Sequence, residues 1–333
     1  MLKKRAIGVV VTPEAITALV VEKTFIGQVL CSFEQKALPK GSVSDLSGII
    51  ADTPSFERSV EQLLPSISKW SLTETSIYLV LPQRLFYHSV VEIAKKYLGM
   101  KGDELLASGA FRLPSESDQN VHGIYVGANA KSSSALLVAA RAAHIQNYLN
   151  VFKREDRTIA RVVSPEIAGY QFWSLMRPEV VHARALIFTW FEKVASLEVW
   201  DRGMLVYQYD FPHASDDLNL NSGDVVSCDR EASFTALVLS EVSKVVTRYR
   251  EQGDPIQELL INGRALGDGA ILSALSGEHG IKIFSSRSQE PLIKERFQKN
   301  TIQENSCALE VALGAMPLAI DKSHLIGAHQ WTR

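Results

Sequence analysis

The side chains of this sequence that could do chemistry are mostly acidic, and the densest run is DDLNLNSGD (216–224). Asp217, Asn219 and Asn221 have the alternate spacing with which a calcium loop offers oxygen ligands. The glycine of the sharp turn comes one place late, at Gly223, and the bidentate glutamate expected at the twelfth position is Cys228. The run GDGAIL (267–272) begins like a dinucleotide fingerprint but puts Leu272 at the third glycine position, so it reads as a loop and helix start. No G-x-x-x-x-G-K-[ST], H-E-x-x-H or G-x-S-x-G motif occurs. His88, His144 and His182 stand singly in strand or helix patterns, where an imidazole satisfied by its surroundings is expected. Glu304 with Glu310, and Asp216 with Asp217, have no recognisable partner arrangement, and no nucleophile stands with a base. Cys31, Cys228 and Cys307 are an odd number, far apart and without a CxxC, as expected of reduced thiols. These residues make no positive case for a catalyst.

An α/β framework is what would position any site. A chain of 333 residues that is 46% hydrophobic and 22% charged has room for two domains with their own cores. A net charge of -2 argues against a broad electrostatic footprint for nucleic acid, and Lys3-Lys4-Arg5 reads as a solubilising start to a strand. No apolar run approaches the roughly 18 residues that cross a bilayer, and the first residues lack a signal-peptide core, so a cytoplasmic protein is expected. Period-two alternation predicts strands over 6–11, 15–22 and 29–36, with turns at Thr12-Pro13 and over 25–28. The same meander recurs over 184–190, 195–200 and 204–211, with Asp201-Arg202-Gly203 as the tight turn. Each copy closes on an apolar residue and a proline, Leu38-Pro39 and Phe211-Pro212. Two such meanders about 175 residues apart point to a duplicated unit.

The first meander leads into a helix carrying Phe56, Val60, Leu63, Leu64, Ile67 and Trp70, which Pro65 is expected to kink or end early. A buried strand over 76–82 follows. After the second meander come a helix over 231–251, a strand over 258–263, a helix near 268–276 and a strand over 281–285. Between the halves lie a strand over 85–92, a helix over 103–111, strands over 121–128 and 135–140, and a helix over 142–153, which together read as a small α+β insertion. Residues 157–163 and a helix over 165–176 return the chain to the second meander; the loop 216–229 is polar. Meander, helix and strand, twice, predict mixed sheets covered by helices.

This plan resembles the actin-like ATPase superfold, a duplicated ribonuclease H-like α/β fold with an α+β insertion in the first half. Local wording resembles the PilM family of type IV pilus assembly. IGVVVTPEAITALVVEK (7–23) is similar to the family's opening hairpin and ALPKG (37–41) to the end of its third strand. LLVAARAAHIQNYLNVF (136–152), VVSPEIAGYQFW (162–173), SEVSKVVTRYRE (240–251) and ALEVALGAMPLAI (308–320) follow the family's later segments in order. The cytoplasmic domain of GspL, from type II secretion, is a related resemblance. The domain plan so implied is 1–82 as a first subdomain completed by 164–182, 83–163 as the insertion, and 183–333 as the second subdomain.

The resemblance also marks departures. In the family's first phosphate loop an aspartate holds magnesium through water and glycines let N–H groups reach phosphate. Here Val10 takes the aspartate position and Thr12 a glycine position, while Pro13 removes a donor. In the second loop, TWFEKVA (189–195), Thr189 replaces the aspartate, Phe191 replaces the glycine, and Glu192 adds negative charge. Of the adenosine glycine run only Gly263 survives, followed by Arg264. Glu241 and Lys244 still match the helix that borders the base and sugar. Pro13 and the pair Trp190-Phe191 are expected to fill the phosphate space.

The resemblance therefore implies a non-catalytic scaffold of a type IV pilus or related secretion assembly, peripheral to the inner membrane through its partners. No cofactor and no metal are expected. The implied partner is the cytoplasmic N-terminal peptide of a PilN-like membrane protein, bound within 76–140, beside other pilus assembly proteins; nucleic acid and direct membrane insertion are not expected. The alternative is a switch or ATPase that binds ATP and magnesium through altered loops, with Glu14 or Glu192 as the substitute ligand. A sugar or acyl kinase on the same superfold is a third reading, for which no catalytic aspartate can be named.

Overall fold

The computed structural model of the chain describes residues 4–23, 28–68, 75–92, 94–97, 108, 127–128, 134–153, 158–191, 194–211, 225–253, 255–263, 277, 280–285 and 307–316. The helix expected over 103–111, apart from Ser108 in a turn, the helix over 268–276, the start of the strand over 121–128, and the loop 216–224 lie outside the described residues. In chain order the strands are β1 (Lys4–Val11), β2 (Ala15–Lys23), β3 (Gln28–Ala37), β4 (Thr75–Val80), β5 (Phe86–Glu92), β6 (Gly127–Ala128), β7 (Ser134–Ala140) and β8 (Thr158–Val163), followed by β9 (Arg184–Phe191), β10 (Val194–Asp201), β11 (Met204–Phe211), β12 (Glu258–Gly263) and β13 (Lys282–Ser285). The helices are α1 (Thr53–Ser68), α2 (Ala142–Phe152), α3 (Pro165–Met176), α4 (Val225–Glu251) and α5 (Cys307–Ala315).

Both meanders form where alternation places them, and each grows into a five-stranded sheet of one plan: β3-β2-β1-β4-β8 and β11-β10-β9-β12-β13. In each, three antiparallel strands are extended by two parallel ones. The repeat is thus one of topology. A separate sheet, β5-β7-β6, is the described part of the insertion.

The pleat sorts side chains into layers, because successive residues of a strand face opposite ways. On the outer face of the first sheet, Ile7, Val9, Val11, Ile16, Ala18, Val20, Ile77 and Leu79 pack with Phe56 and Val60 of α1 and Tyr148 and Phe152 of α2. On the outer face of the second, Leu186, Phe188, Trp190, Leu197, Val199, Leu259 and Ile261 pack with Val238, Val242 and Val246 of α4. The two inner faces share one layer: Val10, Leu19 and Val80 from the first sheet, Ile187, Trp200 and Leu260 from the second, and α3 and α5 between them. Sheets covered on both faces read as near-continuous apolar runs, as "AIGVVV" and "ALIF" do.

Three expectations are corrected. The insertion does not extend to 163: β8 hydrogen-bonds to β4 inside the first sheet, and α2 packs on α1 through Phe56, whose ring meets Tyr148 at 5.5 Å and Phe152 at 6.1 Å. Residues 142–153 and 158–163 therefore belong to the first half, because their apolar faces find that core. Helix α1 does not end at Pro65 but continues to Ser68; a proline this near the C-terminus interrupts a single i to i−4 bond in the last turn. Helix α4 begins at Val225, so the tail of the expected loop, 225–229, is helical.

Close approach fixes two glycines in the shared layer. A Cβ on Gly8 of β1 would stand 2.8 Å from the Ala312 carbonyl oxygen, and one on Gly314 would run into the Ala168 carbonyl and stand 2.8 Å from the Phe172 nitrogen. Helix α5 is thereby seated on β1 and α3 at main-chain distance.

Candidate functional site

The turn after β1 is closed on itself. Thr12 N–H donates to the Ala15 carbonyl at 2.9 Å, the Thr12 hydroxyl donates to the same oxygen at 3.1 Å, and Ala15 N–H donates to Thr12 Oγ1 at 3.0 Å. Pro13 carries no N–H, and Glu14, half-buried at the turn, accepts from Leu38 N–H through its carbonyl at 2.6 Å. One threonine thus consumes the donors a glycine-rich loop would aim at an anion. Val10, the last inward-facing residue of β1, is 1% exposed and belongs to the shared apolar layer.

In the second sheet the corresponding place is polar. Cross-strand register sets Asp210, Ser196, Thr189 and Asn262 in one row across β11, β10, β9 and β12, with Gln208 and Glu198 side by side two residues along. Thr189 and Asn262 are buried; Asn262 Nδ2 donates to Thr189 Oγ1 at 3.4 Å, and Asn262 Oδ1 has no hydrogen-bond partner. Gly169 of α3 faces this pair, and a Cβ there would come within 2.9 Å of Asn262 Nδ2. The expected filling of this space by Trp190 is overturned. One residue from Thr189 along the strand, Trp190 lies on the opposite face, in the outer core against Phe234 with ring centroids 4.9 Å apart. Phe191 ends β9 opposite Val194 and Gly263 ends β12 opposite Trp190, while Glu192 and Arg264 lie outside the described residues. Glu241 accepts from the Tyr207 hydroxyl at 2.6 Å and from Lys244 Nζ at 3.2 Å, which ties the remaining matched pair to β11.

Sequence reasoning missed a second cluster, where the inserted sheet, the start of α3 and the second sheet meet. His88 of β5 sets Nε2 2.9 Å from Ser164 Oγ and 3.6 Å from Glu166 Oε2. Gln208 of β11 donates to Glu166 Oε1 at 3.3 Å and to Asp210 Oδ1 at 3.1 Å, and Gln83 donates to Asp210 Oδ1 at 2.8 Å. Glu198 of β10 accepts from the Ser196 hydroxyl at 2.8 Å and from Trp200 Nε1 at 2.9 Å, and Trp200 stacks on Tyr170 of α3 at 4.2 Å. Glu166 and Glu198 are each 1% exposed. Burial pushes the Glu166 carboxyl up to about 7 and that of Glu198 up to about 8; repulsion from Glu166 adds at Glu198, and Asp210 adds at both. Burial lowers His88 to about 4, against the pull of Asp210. The 3.6 Å contact is therefore between an uncharged imidazole and a carboxyl inclined to keep its proton, and is not an ion pair at neutral pH.

Serine, histidine and glutamate together invite comparison with a hydrolytic triad, and the geometry lacks the relay. Both Ser164 and Glu166 meet the same ring nitrogen, whereas a relay needs the two nitrogens to serve one partner each. Ser164 is also buried and caps α3, accepting from Ile167 N–H at 3.5 Å. Ser164→Ala removes that cap and the partner of His88, and is expected to cost about 1 to 2 kcal/mol in urea denaturation; a change near zero would place both contacts outside the stability of the junction. Among the described residues no group of His, Cys, Asp and Glu is arranged to hold a metal ion.

No protein-family model and no curated protein matches this chain. Solved structures do. The PilM-PilN type IV pilus biogenesis complex is similar with a TM-score of 0.63 at 14% identity, covering 94% of this chain and 99% of that one. The fold is actin-like. Also matched are the cytoplasmic domain of EpsL, an inner membrane component of the type II secretion system of Vibrio cholerae, and a Bacteroides thetaiotaomicron protein with an actin-like ATPase fold. The first has a TM-score of 0.48 at 11% identity over 94% of each chain. The second has 0.45 at 9% identity over 86% of this chain and 91% of that one.

In an actin-like fold the two inner strand ends and their turns are where a magnesium nucleotide would be held. Such a group asks for carboxylates at those ends and for donors in the turns. These places carry buried Val10, Thr189 bonded to Asn262, and a first turn whose Thr12 and Ala15 donors are already taken. The residues present do not fit the group. Among the described residues no helix is long and apolar enough to cross a membrane.

Proposed function

We propose that this chain is a non-catalytic actin-like scaffold of a type IV pilus or related secretion assembly, working at the inner face of the membrane through its partners. In this reading it grips the cytoplasmic N-terminal peptide of a PilN-like membrane protein and uses no nucleotide. The observation that carries the reading is the likeness along nearly the whole of both chains to a structure solved as a PilM-PilN complex. The self-closed turn at Thr12 and the uncharged ends of β1 and β9 support the nucleotide-free part. Within 76–140, Tyr87 and Val90 of β5 are large apolar side chains left exposed on opposite faces of the strand, and Tyr87 offers a peptide an apolar contact on the inserted sheet.

Calorimetric titration tests both parts. Against ATP with magnesium the parent protein is expected to give no heat at millimolar ligand, and a Val10→Asp, Thr12→Gly, Thr189→Asp variant tests whether binding can be restored. Micromolar binding by the parent would overturn the nucleotide-free reading and favour the switch, with Glu14 or Glu192 as the magnesium ligand. Against synthetic N-terminal peptides of PilN-like proteins, binding that Tyr87→Glu removes without lowering Tm is expected. No binding to any such peptide would sink the partner assignment.

A further inference from the structure

The junction of His88, Glu166, Glu198 and Asp210 ties three units of the fold together. It joins β5 of the inserted sheet, the first turn of α3, and β10 and β11 of the second sheet. Buried carboxylates are ordinarily paired with a cation or fully hydrogen-bonded. Here Glu166 Oε2 is buried with no hydrogen-bond partner while lying 3.6 Å from His88 Nε2. A proton on that oxygen is what the place lacks.

The charged and titratable groups facing the cluster are few. The turn over 83–85 brings Arg84, whose Nη1 is 3.9 Å from Asp210 Oδ2 and whose side chain is largely exposed. Strand β5 brings His88, α3 brings Glu166, β10 brings Glu198, and β11 brings Asp210, with Gln83 and Gln208 as neutral bridges. Among the described residues no buried cation is set beside the two glutamates. Asp210 lies beside Arg84 and accepts from the amides of Gln83 and Gln208.

We propose that Glu166 and Glu198 hold protons on the acid side of neutrality and act as a proton-operated latch, keeping the inserted sheet clamped to the second half through α3 and releasing it when the protons leave. With Glu166 protonated, its carboxyl can share the proton with the His88 imidazole while Gln208 holds the other oxygen. When Glu166 and Glu198 ionise, two buried charges of like sign face each other beside the partly exposed Asp210, and the contacts of β5 and β11 across the junction weaken.

The direction with pH follows from linkage. A carboxyl held above its ordinary value of 4.5 contributes stability that is present below that value and is lost as pH rises through about 7 for Glu166 and about 8 for Glu198. His88, held below its ordinary 6.5, contributes the opposite way, losing stability as pH falls from 6.5 toward about 4. Of these three groups only the glutamates change charge above 6.5, and a variant that keeps His88 isolates their part.

Hydrogen exchange of the full chain, from about pH 4.5 to about pH 9, read at the amides of β5 and β11 and compared at each pH with a Glu166→Gln, Glu198→Gln variant, tests the latch. Glutamine keeps the shape and the neutral charge, so the two proteins should match at the acid end. At the alkaline end the parent should open more, by up to about tenfold per pH unit for each proton released. Equal exchange at both ends would overturn the proposal. Should the variant not fold, infrared titration of the parent decides. A protonated carboxyl band present at the acid end and lost at the alkaline end is expected, and its absence at the acid end would refute the latch.

Discussion

Gly314→Ala is expected to destabilise the protein by about 3 kcal/mol or more, at the upper end of what over-packing costs. The added methyl would meet the Ala168 carbonyl and stand 2.8 Å from the Phe172 nitrogen, both main-chain atoms of α3. A flexible side chain could swing aside; a helix backbone cannot. Helices α3 and α5 would have to separate, and both inner faces of the duplicated sheets rest on that pair. Gly277→Ala is the control, since nothing lies within 4 Å of a Cβ there. Thermal and urea denaturation of the two variants should differ sharply, or Gly314→Ala should fail to accumulate as folded protein. If Gly314→Ala melts like the parent, the main-chain contact between α3 and α5 is not a feature of the molecule in solution.

Phe56→Ala is expected to cost about 3 to 5 kcal/mol, the sum of lost transfer energy and the cavity left behind. Phe56 is fully buried and packs edge-on against both Tyr148 and Phe152. Those two rings come from α2, so the variant also probes the architecture: the lost ring loosens α2 from α1 within one core. If 142–163 belonged to the insertion instead, truncation at Phe56 would leave exchange protection of α2 unchanged. Protection lost in α1 and α2 together, with β9 to β11 less affected, is the expected pattern.

The sequence was most legible where one face of an element is uniform. The strands over 6–11, 15–22 and 204–211 appear within two residues at each end of where alternation puts them, because the pleat and the burial pattern share a period of two. The same rule misleads at β10. Ser196 and Glu198 alternate with Ala195, Leu197 and Val199, a pattern that reads as a strand with one wet face, and α3 covers that face. Nothing local to "ASLEVW" says whether its polar side meets water or a helix that arrives from thirty residues earlier in the chain. His88 is similar: the expectation of a satisfied structural imidazole holds in part through Ser164, while its neighbour Glu166 is 78 positions away.

What the sequence determined by itself is the repeated α/β plan and the residue types at the strand ends. Val10 and Thr189 leave the two strand ends without a carboxylate and Pro13 leaves the first turn one donor short whatever surrounds them, because a side chain's charge and a proline's missing N–H are properties of the residue. Tertiary structure alone decided the rest. It folded 142–153 and 158–163 into the first half, turned Trp190 away from the cleft into the outer core, closed the first turn through Thr12, and buried two glutamates, one of them beside a histidine. Each of those outcomes depends on which faces meet across the shared layer, and burial, hydrogen-bond partners and proton affinity are set by that meeting of surfaces distant in sequence.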